Sequence, residues 1–226
     1  MTSPLAAGAA VVLVTLLAVL GPLAGLSPWW IALGVGLLLG ALSLDAASFS
    51  GRGGHLLAEA LPGGQARLRR IAVHEAGHLL VAGAEGMAVS RVLIGSLACL
   101  RAGVAAGGVT EFSPPDHAKL PLPELRRWSR VLQAGMAAEQ VIYGGSAGGA
   151  DDRALLGRLW GLSGYDVDTA QREQRRARRE IEQQLRRQSQ ELEQEADRLL
   201  LTAPRLGRSV PEPLPAQGPE AASAEA

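Results

Sequence analysis

The chain has 226 residues, a formal net charge of zero and a single cysteine, Cys99. The neutral charge gives no argument for a nucleic-acid partner, and one cysteine excludes an intrachain disulfide, which favours a reducing compartment for the soluble part. Lys119 is the only lysine and does not follow a glycine, so we expect no Walker-type phosphate-binding loop and no ATPase module.

The N-terminal stretch reads as membrane-embedded, because residues 1–44 carry no ionisable side chain. Gly and Pro residues at 21–22 and 27–28 divide it into apolar runs over residues 5–20 and 29–44. Each run gives roughly 24 Å of helix, and the apolar turn residues can extend both ends. We expect a transmembrane hairpin of two helices over residues 1–44. A cleaved signal peptide and one longer re-entrant hairpin are the alternatives.

The charges that follow set the expected orientation. Arg52, Arg67, Arg69 and Arg70 come after the second apolar run, whereas the turn between the runs has no charge. The positive-inside rule therefore places the remainder of the chain on the cytoplasmic side of the membrane.

The rest of the chain divides into three parts. Residues 45–64 form a glycine-containing linker, with a short helix expected around residues 56–61. Residues 65–203 form the folded domain. Residues 204–226 are rich in Pro, Ala and Glu and are expected to be disordered.

Within the domain we expect a small β-hairpin and three further helices. Val89–Ile94 and Gly108–Phe112 are β-prone runs, and the hairpin either lays an extended peptide along its edge or serves only in packing. One helix spans about 124–143, and a second begins at Ala150 or Asp151. A long amphipathic helix over 166–201 packs on the domain or on a partner. Its interspersed glutamates favour a solvated face over a nucleic-acid surface.

The first helix of the domain carries the sequence His74, Glu75, Ala76, Gly77 and His78. Side chains four residues apart share one helix face, so both imidazoles can reach a single metal ion. Glu75 follows the first histidine, which places its carboxylate beside the metal as a base for water. Zn²⁺ is the metal that this chemistry favours.

The third ligand is not fixed by this motif. The metzincin continuation is excluded, because it requires Gly at 81 and His at 84, where the chain has Val81 and Ala84. His55 and His117 are candidates, although each is more often a solvated histidine in such a context. Asp151 and Asp152 are favoured because they follow a glycine-rich turn and open a helix.

Three segments together resemble a known family. Residues 73–81, 135–144 and 148–152 look like the three signature segments of the FtsH-family peptidase domain, in that family's order. The resemblance covers roughly residues 67–160. The first segment alone occurs in many metallopeptidases, whereas the combination is specific.

The resemblance implies roles for individual residues. The zinc ligands would be His74, His78 and Asp152, and Glu75 would be the general base. Glu139 matches a recurrent glutamate, whose role is either to orient a histidine or to form a helix-packing ion pair.

The expected fold class is therefore mainly α with a small β-hairpin, in which two N-terminal transmembrane helices precede a helical zincin-like metallopeptidase domain. The family's ATPase module is missing, so the chain resembles short membrane-anchored relatives. The resemblance implies a zinc metalloendopeptidase of a bacterial inner or thylakoid-type membrane that cleaves unfolded or membrane-proximal protein segments. A partner ATPase or a homo-oligomer is compatible with it.

The alternative is a proteolytically inactive scaffold that binds a partner or aids membrane-protein assembly. An intramembrane protease is disfavoured, because the arginines at 67, 69 and 70 precede the motif on one helix.

Overall fold

The computed structural model describes residues 4–23, 25, 27–49, 56, 59, 63–104, 106–115 and 117–204. They belong to two compact units, Met1–Leu57 and Ala58–Ala226. The described part of the chain is mainly helical, with 74% of it in helices, and contains one two-stranded antiparallel sheet. The expected mainly α class with a small hairpin is confirmed. His55, most of the helix expected near 56–61 and the tail from residue 205 lie outside the described residues.

The N-terminal unit contains α1 (Pro4–Leu23) and α2 (Pro28–Phe49). Among the described residues one segment, Pro28–Asp45 in α2, is long and apolar enough to cross a membrane, whereas α1 offers the shorter apolar stretch Val14–Leu23. Among the described residues the expectation of two transmembrane helices is thus met by one candidate, not two, and a signal sequence also fits that candidate. Because α2 continues to Phe49, the first residues of the expected linker are helical.

The C-terminal unit is built around two helices, α3 (Gly64–Ala84) and α5 (Leu122–Tyr143). They approach closely at small residues: a Cβ atom added to Gly77 would lie 2.6 Å from Cβ of Ala138 and 2.7 Å from the carbonyl oxygen of Ala134. Dense packing without voids is what stabilises such a crossing, so the glycine is needed for the helices to meet here. This contact fixes the face of α3 that carries the histidines.

The hairpin consists of β1 (Val89–Ile94) and β2 (Gly108–Phe112), connected through the short helix α4 (Ser96–Arg101). Both strands have the bounds expected from the sequence. The strands are antiparallel with Val92 opposite Thr110, and the register shifts between Val89 and Arg91. Because β2 packs against α3, Thr110 is buried next to the histidine helix.

Three helices complete the unit: α6 (Ala150–Leu162), α7 (Val167–Arg187) and α8 (Ser189–Thr202). The side chain of Asp166 caps α7 by accepting a hydrogen bond from the Thr169 amide at 2.8 Å. The expected single helix over 166–201 is wrong, since the chain leaves helical geometry at Gln188 (φ −104°, ψ 24°). The break lets α7 pack on α5 while α8 packs on α3.

Candidate metal centre

Two histidines and one aspartate converge beside the α3–α5 contact. His74 and His78 lie one turn apart on α3, and Asp152 lies in the first turn of α6. Each offers one ligand atom, and the three atoms lie within 4.8 Å of one another. Oδ2 of Asp152 is 3.2 Å from Nε2 of His74 and 3.5 Å from Nε2 of His78. This buried group can hold a metal ion.

The other nitrogen of each imidazole is fixed by the fold. Nδ1 of His78 donates to the backbone carbonyl of Val131 at 2.8 Å, and Nδ1 of His74 lies 2.7 Å from a carboxylate oxygen of Glu139. A carbonyl oxygen only accepts, so Nδ1 of His78 carries a proton, and Nε2 is the nitrogen that faces the site. Such outer partners set the tautomer and the orientation of metal-ligating histidines. Both Nε2 atoms are thus aimed at Asp152.

The electrostatics of the three groups are those of a cation site. Two imidazole nitrogens and a carboxylate oxygen face one another, so either a proton or a cation has to lie between them. Burial by itself lowers the pKa of His74, but its hydrogen bonds to Asp152 and Glu139 outweigh burial and raise the pKa to about 10. Burial raises the pKa of Asp152, and the two histidines overcome this and hold it well below the ordinary value. In the metal-free chain a proton on the imidazole takes the position of the cation.

Space for an ion between the ligands is provided by Gly135 on α5. A Cβ atom at this position would lie 2.6 Å from Nε2 of His78 and closer still to Nε2 of His74. Real Cβ atoms essentially never come within 3.0 Å of another heavy atom. The absence of a side chain at Gly135 therefore leaves free the volume toward which both Nε2 atoms point.

Glu139 links the histidine helix to the loop that leads to Asp152. Its side chain is almost fully buried, accepts from Arg70 Nε at 2.5 Å, and accepts from the backbone amides of Ala147 and Gly148 at 2.8 and 3.2 Å. Burial raises the pKa of Glu139, but the bonds from His74, Ala147 and Arg70 lower it to about 2. Both roles expected for Glu139, orienting a histidine and forming an ion pair between helices, occur together.

Arg70 adds a second connection to the same loop. Its Nη2 donates to the carbonyl of Gly145, and its guanidinium lies 5.1 Å from the ring centroid of Tyr143. The loop ends at Gly149, which adopts a φ of 83° and where a Cβ would lie 2.6 Å from Sδ of Met136. Backbone in this region favours glycine, so the turn that presents Asp152 depends on Gly149.

Glu75 lies on α3 beside the three groups and is buried. Its carboxylate accepts a hydrogen bond at 2.8 Å from the hydroxyl of Thr110 on β2. Burial raises the pKa of Glu75, and the two histidines act in the opposite direction. A buried carboxylate with a raised pKa next to a candidate metal site is suited to proton transfer.

The structure distinguishes among the candidate ligands. Within the described part of the chain, the metal-type cluster contains His74, His78 and Asp152, whereas Asp151 and His117 are exposed and outside it. The sequence interpretation missed Gly135, Arg70 and Thr110. Gly135 and the arginine stand in or next to recognised segments, but nothing in their spacing indicates these contacts.

No protein-family model matches the chain, and no curated protein matches it in sequence. The likeness to FtsH-type peptidases and the zincin-like fold therefore stay predictions. Function has to be inferred from the chemistry of the site.

Proposed function

We propose that the chain is a membrane-anchored zinc metalloendopeptidase that hydrolyses peptide bonds of unfolded or membrane-proximal protein segments. The observation that carries the proposal is the convergence of His74, His78 and Asp152 with the buried carboxylate of Glu75 beside them. Three protein ligands that leave a fourth position open are typical of catalytic zinc sites, whereas structural sites are closed by four.

The ligand set fits zinc. Two neutral imidazoles and a carboxylate are common zinc ligands, and the fixed Nδ1 atoms of both histidines give the outer shell that such sites use. Gly135 leaves room for the ion. When bound, zinc would supply a Lewis acid that makes water more acidic and polarises the scissile carbonyl.

Glu75 is the residue to which we assign proton transfer. It accepts a proton from the attacking water and delivers it to the nitrogen of the leaving amine, so that the peptide C–N bond breaks and a carboxylate and an amine result. The hydroxyl of Thr110 holds one carboxylate oxygen of Glu75 and leaves the other available. Burial, which raises the pKa of Glu75, brings its basicity closer to that needed near neutral pH.

The proposed substrates follow from what surrounds the site. The hairpin packs against α3, and an extended peptide can pair with its edge through main-chain hydrogen bonds. The sequence contains no Walker-type loop, so a stably folded protein would not be unfolded by these residues. Unfolded segments, or segments delivered by a partner ATPase, are the substrates that fit. The single candidate span in α2 would keep the site near a membrane.

Cleavage of casein by the purified full chain tests the proposal. We expect cleavage that stops with a zinc chelator and returns with added Zn²⁺. Glu75→Gln should retain zinc but slow cleavage by about 10²–10⁴-fold, because it removes the base without removing a ligand. Glu193→Gln, which changes an exposed glutamate on α8, is the matched control and should cleave normally. A chain that binds zinc and a partner protein but cleaves nothing would instead support the scaffold alternative.

A further inference from the structure

The outward face of α7 carries a row of arginines. At 100° per residue, the buried side chains Ala177, Ile181 and Leu185 lie on one side of this helix. On the opposite side, exposed arginines fall within an arc of about 120° and extend over roughly 22 Å. The members of this α7 arginine row are Arg172, Arg175, Arg176, Arg179, Arg186 and Arg187.

The three glutamates of α7 flank this row, about 20–40° outside its arc at 100° per residue. Glu173 forms a two-bond ion pair with Arg126 on α5, at 2.7 and 2.8 Å. Glu182 pairs at 2.5 Å with an arginine outside the row. Glu180, at the margin, pairs with one member of the row at 2.7 Å. The face is therefore exposed to solvent and predominantly basic.

Half of the row has no partner within the described part of the chain. Arg179, Arg186 and Arg187 make no hydrogen bond or ion pair with another described residue. Asp168 is exposed at the N-terminal end of the row, and Gln183 lies near its centre. Several positive charges thus stand together without neutralisation, which is the pattern of a surface that attracts anions.

We propose that the α7 arginine row binds the anionic headgroups of the membrane that holds α2. This inference rests on the proposed membrane anchor and is independent of the peptidase chemistry. Guanidinium groups bind phosphate oxygens in a two-bond geometry, and each arginine near an anionic bilayer favours the bound state by roughly 5-fold. The row has no aromatic side chain on which nucleic-acid bases could stack, so lipid headgroups fit it better than single-stranded nucleic acid.

The length of the connection to α2 supports this partner. Residues 50–63 separate α2 from α3, and even a fully extended segment of this length spans at most about 50 Å. A domain tethered in this way experiences a high local concentration of headgroups. Docking of the row would hold the domain in one orientation on the membrane, and this would favour substrates that emerge from the bilayer.

The test uses the full chain in lipid nanodiscs. A fluorophore is attached at Gln183→Cys in a Cys99→Ala background, and energy transfer to a dye on the lipid headgroups reports docking. We expect strong transfer in discs with anionic phosphatidylglycerol and weak transfer in discs of phosphatidylcholine alone. Raising the salt to about 1 M, where the screening length falls to about 3 Å, should abolish the difference.

Two charge-matched double variants give the sharpest comparison. Arg179→Gln with Arg186→Gln should lower the ratio of docked to undocked molecules by up to about 25-fold. Arg101→Gln with Arg158→Gln removes two exposed arginines outside α7 and should leave the ratio unchanged. Circular dichroism verifies that all chains fold.

Equal energy transfer in both disc types would overturn the inference. An equal fall in the ratio of docked to undocked molecules in the two double variants would overturn it too. Release of the chain from membranes by alkaline carbonate would remove the tether and overturn it as well, whereas chelator-sensitive casein cleavage would stand. A labelled oligonucleotide that binds the row at physiological salt while discs do not would assign the surface to nucleic acid instead.

Discussion

Replacing Gly135 by alanine tests the geometry of the candidate metal centre with a single methyl group. The new Cβ would lie 2.6 Å from Nε2 of His78, so this ring would have to retreat by about 0.8 Å to reach an ordinary contact of 3.4 Å. His74 would have to move further, because its Nε2 lies closer to the new atom. Zinc sites tolerate deviations of about 0.2 Å in ligand distance. We therefore expect zinc binding to weaken by more than about 100-fold, beyond the loss typical of outer-shell changes.

The same substitution also changes the folding stability of the metal-free chain in two opposing ways, so a second glycine-to-alanine variant serves as a control. Alanine in place of glycine inside a helix stabilises by about 0.5–1 kcal/mol, whereas overpacking a core costs about 1–3 kcal/mol. In Gly135→Ala the clash should dominate, and the metal-free chain should melt at a lower temperature. Gly157→Ala in α6 meets no atom within 4 Å and should be more stable, with unchanged zinc affinity.

Titration calorimetry of the metal-free chains with Zn²⁺ and thermal melting by circular dichroism measure both quantities. If Gly135→Ala binds one zinc with unaltered affinity, the ion does not lie between the two Nε2 atoms, and the geometric reasoning is refuted.

Three further changes examine the surroundings of the site. Arg70→Gln removes the hydrogen bonds to Glu139 and to the loop and should weaken zinc binding by about 10–100-fold. Arg69→Gln breaks an exposed ion pair and should leave zinc binding unchanged. Equal losses of zinc affinity in the two variants would contradict a role for Arg70 in supporting the site. Thr110→Val removes the hydroxyl that bonds Glu75 and should slow casein cleavage by about 10-fold or more, with zinc content unchanged. Thr110→Ser keeps a hydroxyl and should retain most of the rate. Cleavage by Thr110→Val at the unmodified rate would exclude the hydroxyl from the mechanism. The raised pKa of His74 gives the metal-free chain stability that is fully present below pH 6.5 and is lost as the pH rises through about 10. Melting temperatures in chelator should therefore fall between these values while those of the zinc-loaded chain fall less, and a flat profile without metal would speak against the coupling.

The elements that the sequence predicts well are those with strong local signals. The β-prone runs flanked by glycine gave both strands with their observed bounds, and the prolines before α5 predicted its start to within two residues. The break at Gln188 has no such signal, because neither glycine nor proline stands there. It arises because α7 and α8 pack on different helices, which is a tertiary effect.

The residues of the candidate site also differ in whether a local sequence signal predicts them. His74, Glu75 and His78 follow from helical spacing alone, whereas Asp152 was reached through the likeness to a family. The supporting contacts join distant positions: Arg70 and Glu139 are 69 residues apart, and Thr110 is 35 residues from Glu75. A single sequence has no periodicity that reports such pairs. They become visible only once α3, α5 and β2 are packed together.

X-ray absorption at the zinc edge, on the purified full chain, tests the central claim most directly. One zinc per chain should be found, with two imidazole nitrogens at about 2.0 Å and oxygen ligands from a carboxylate and water at about 2.0–2.2 Å. His78→Ala should remove the metal, and Glu75→Gln should leave the spectrum unchanged. Substoichiometric zinc, or a coordination shell without two imidazoles, would contradict a metal centre formed by His74, His78 and Asp152.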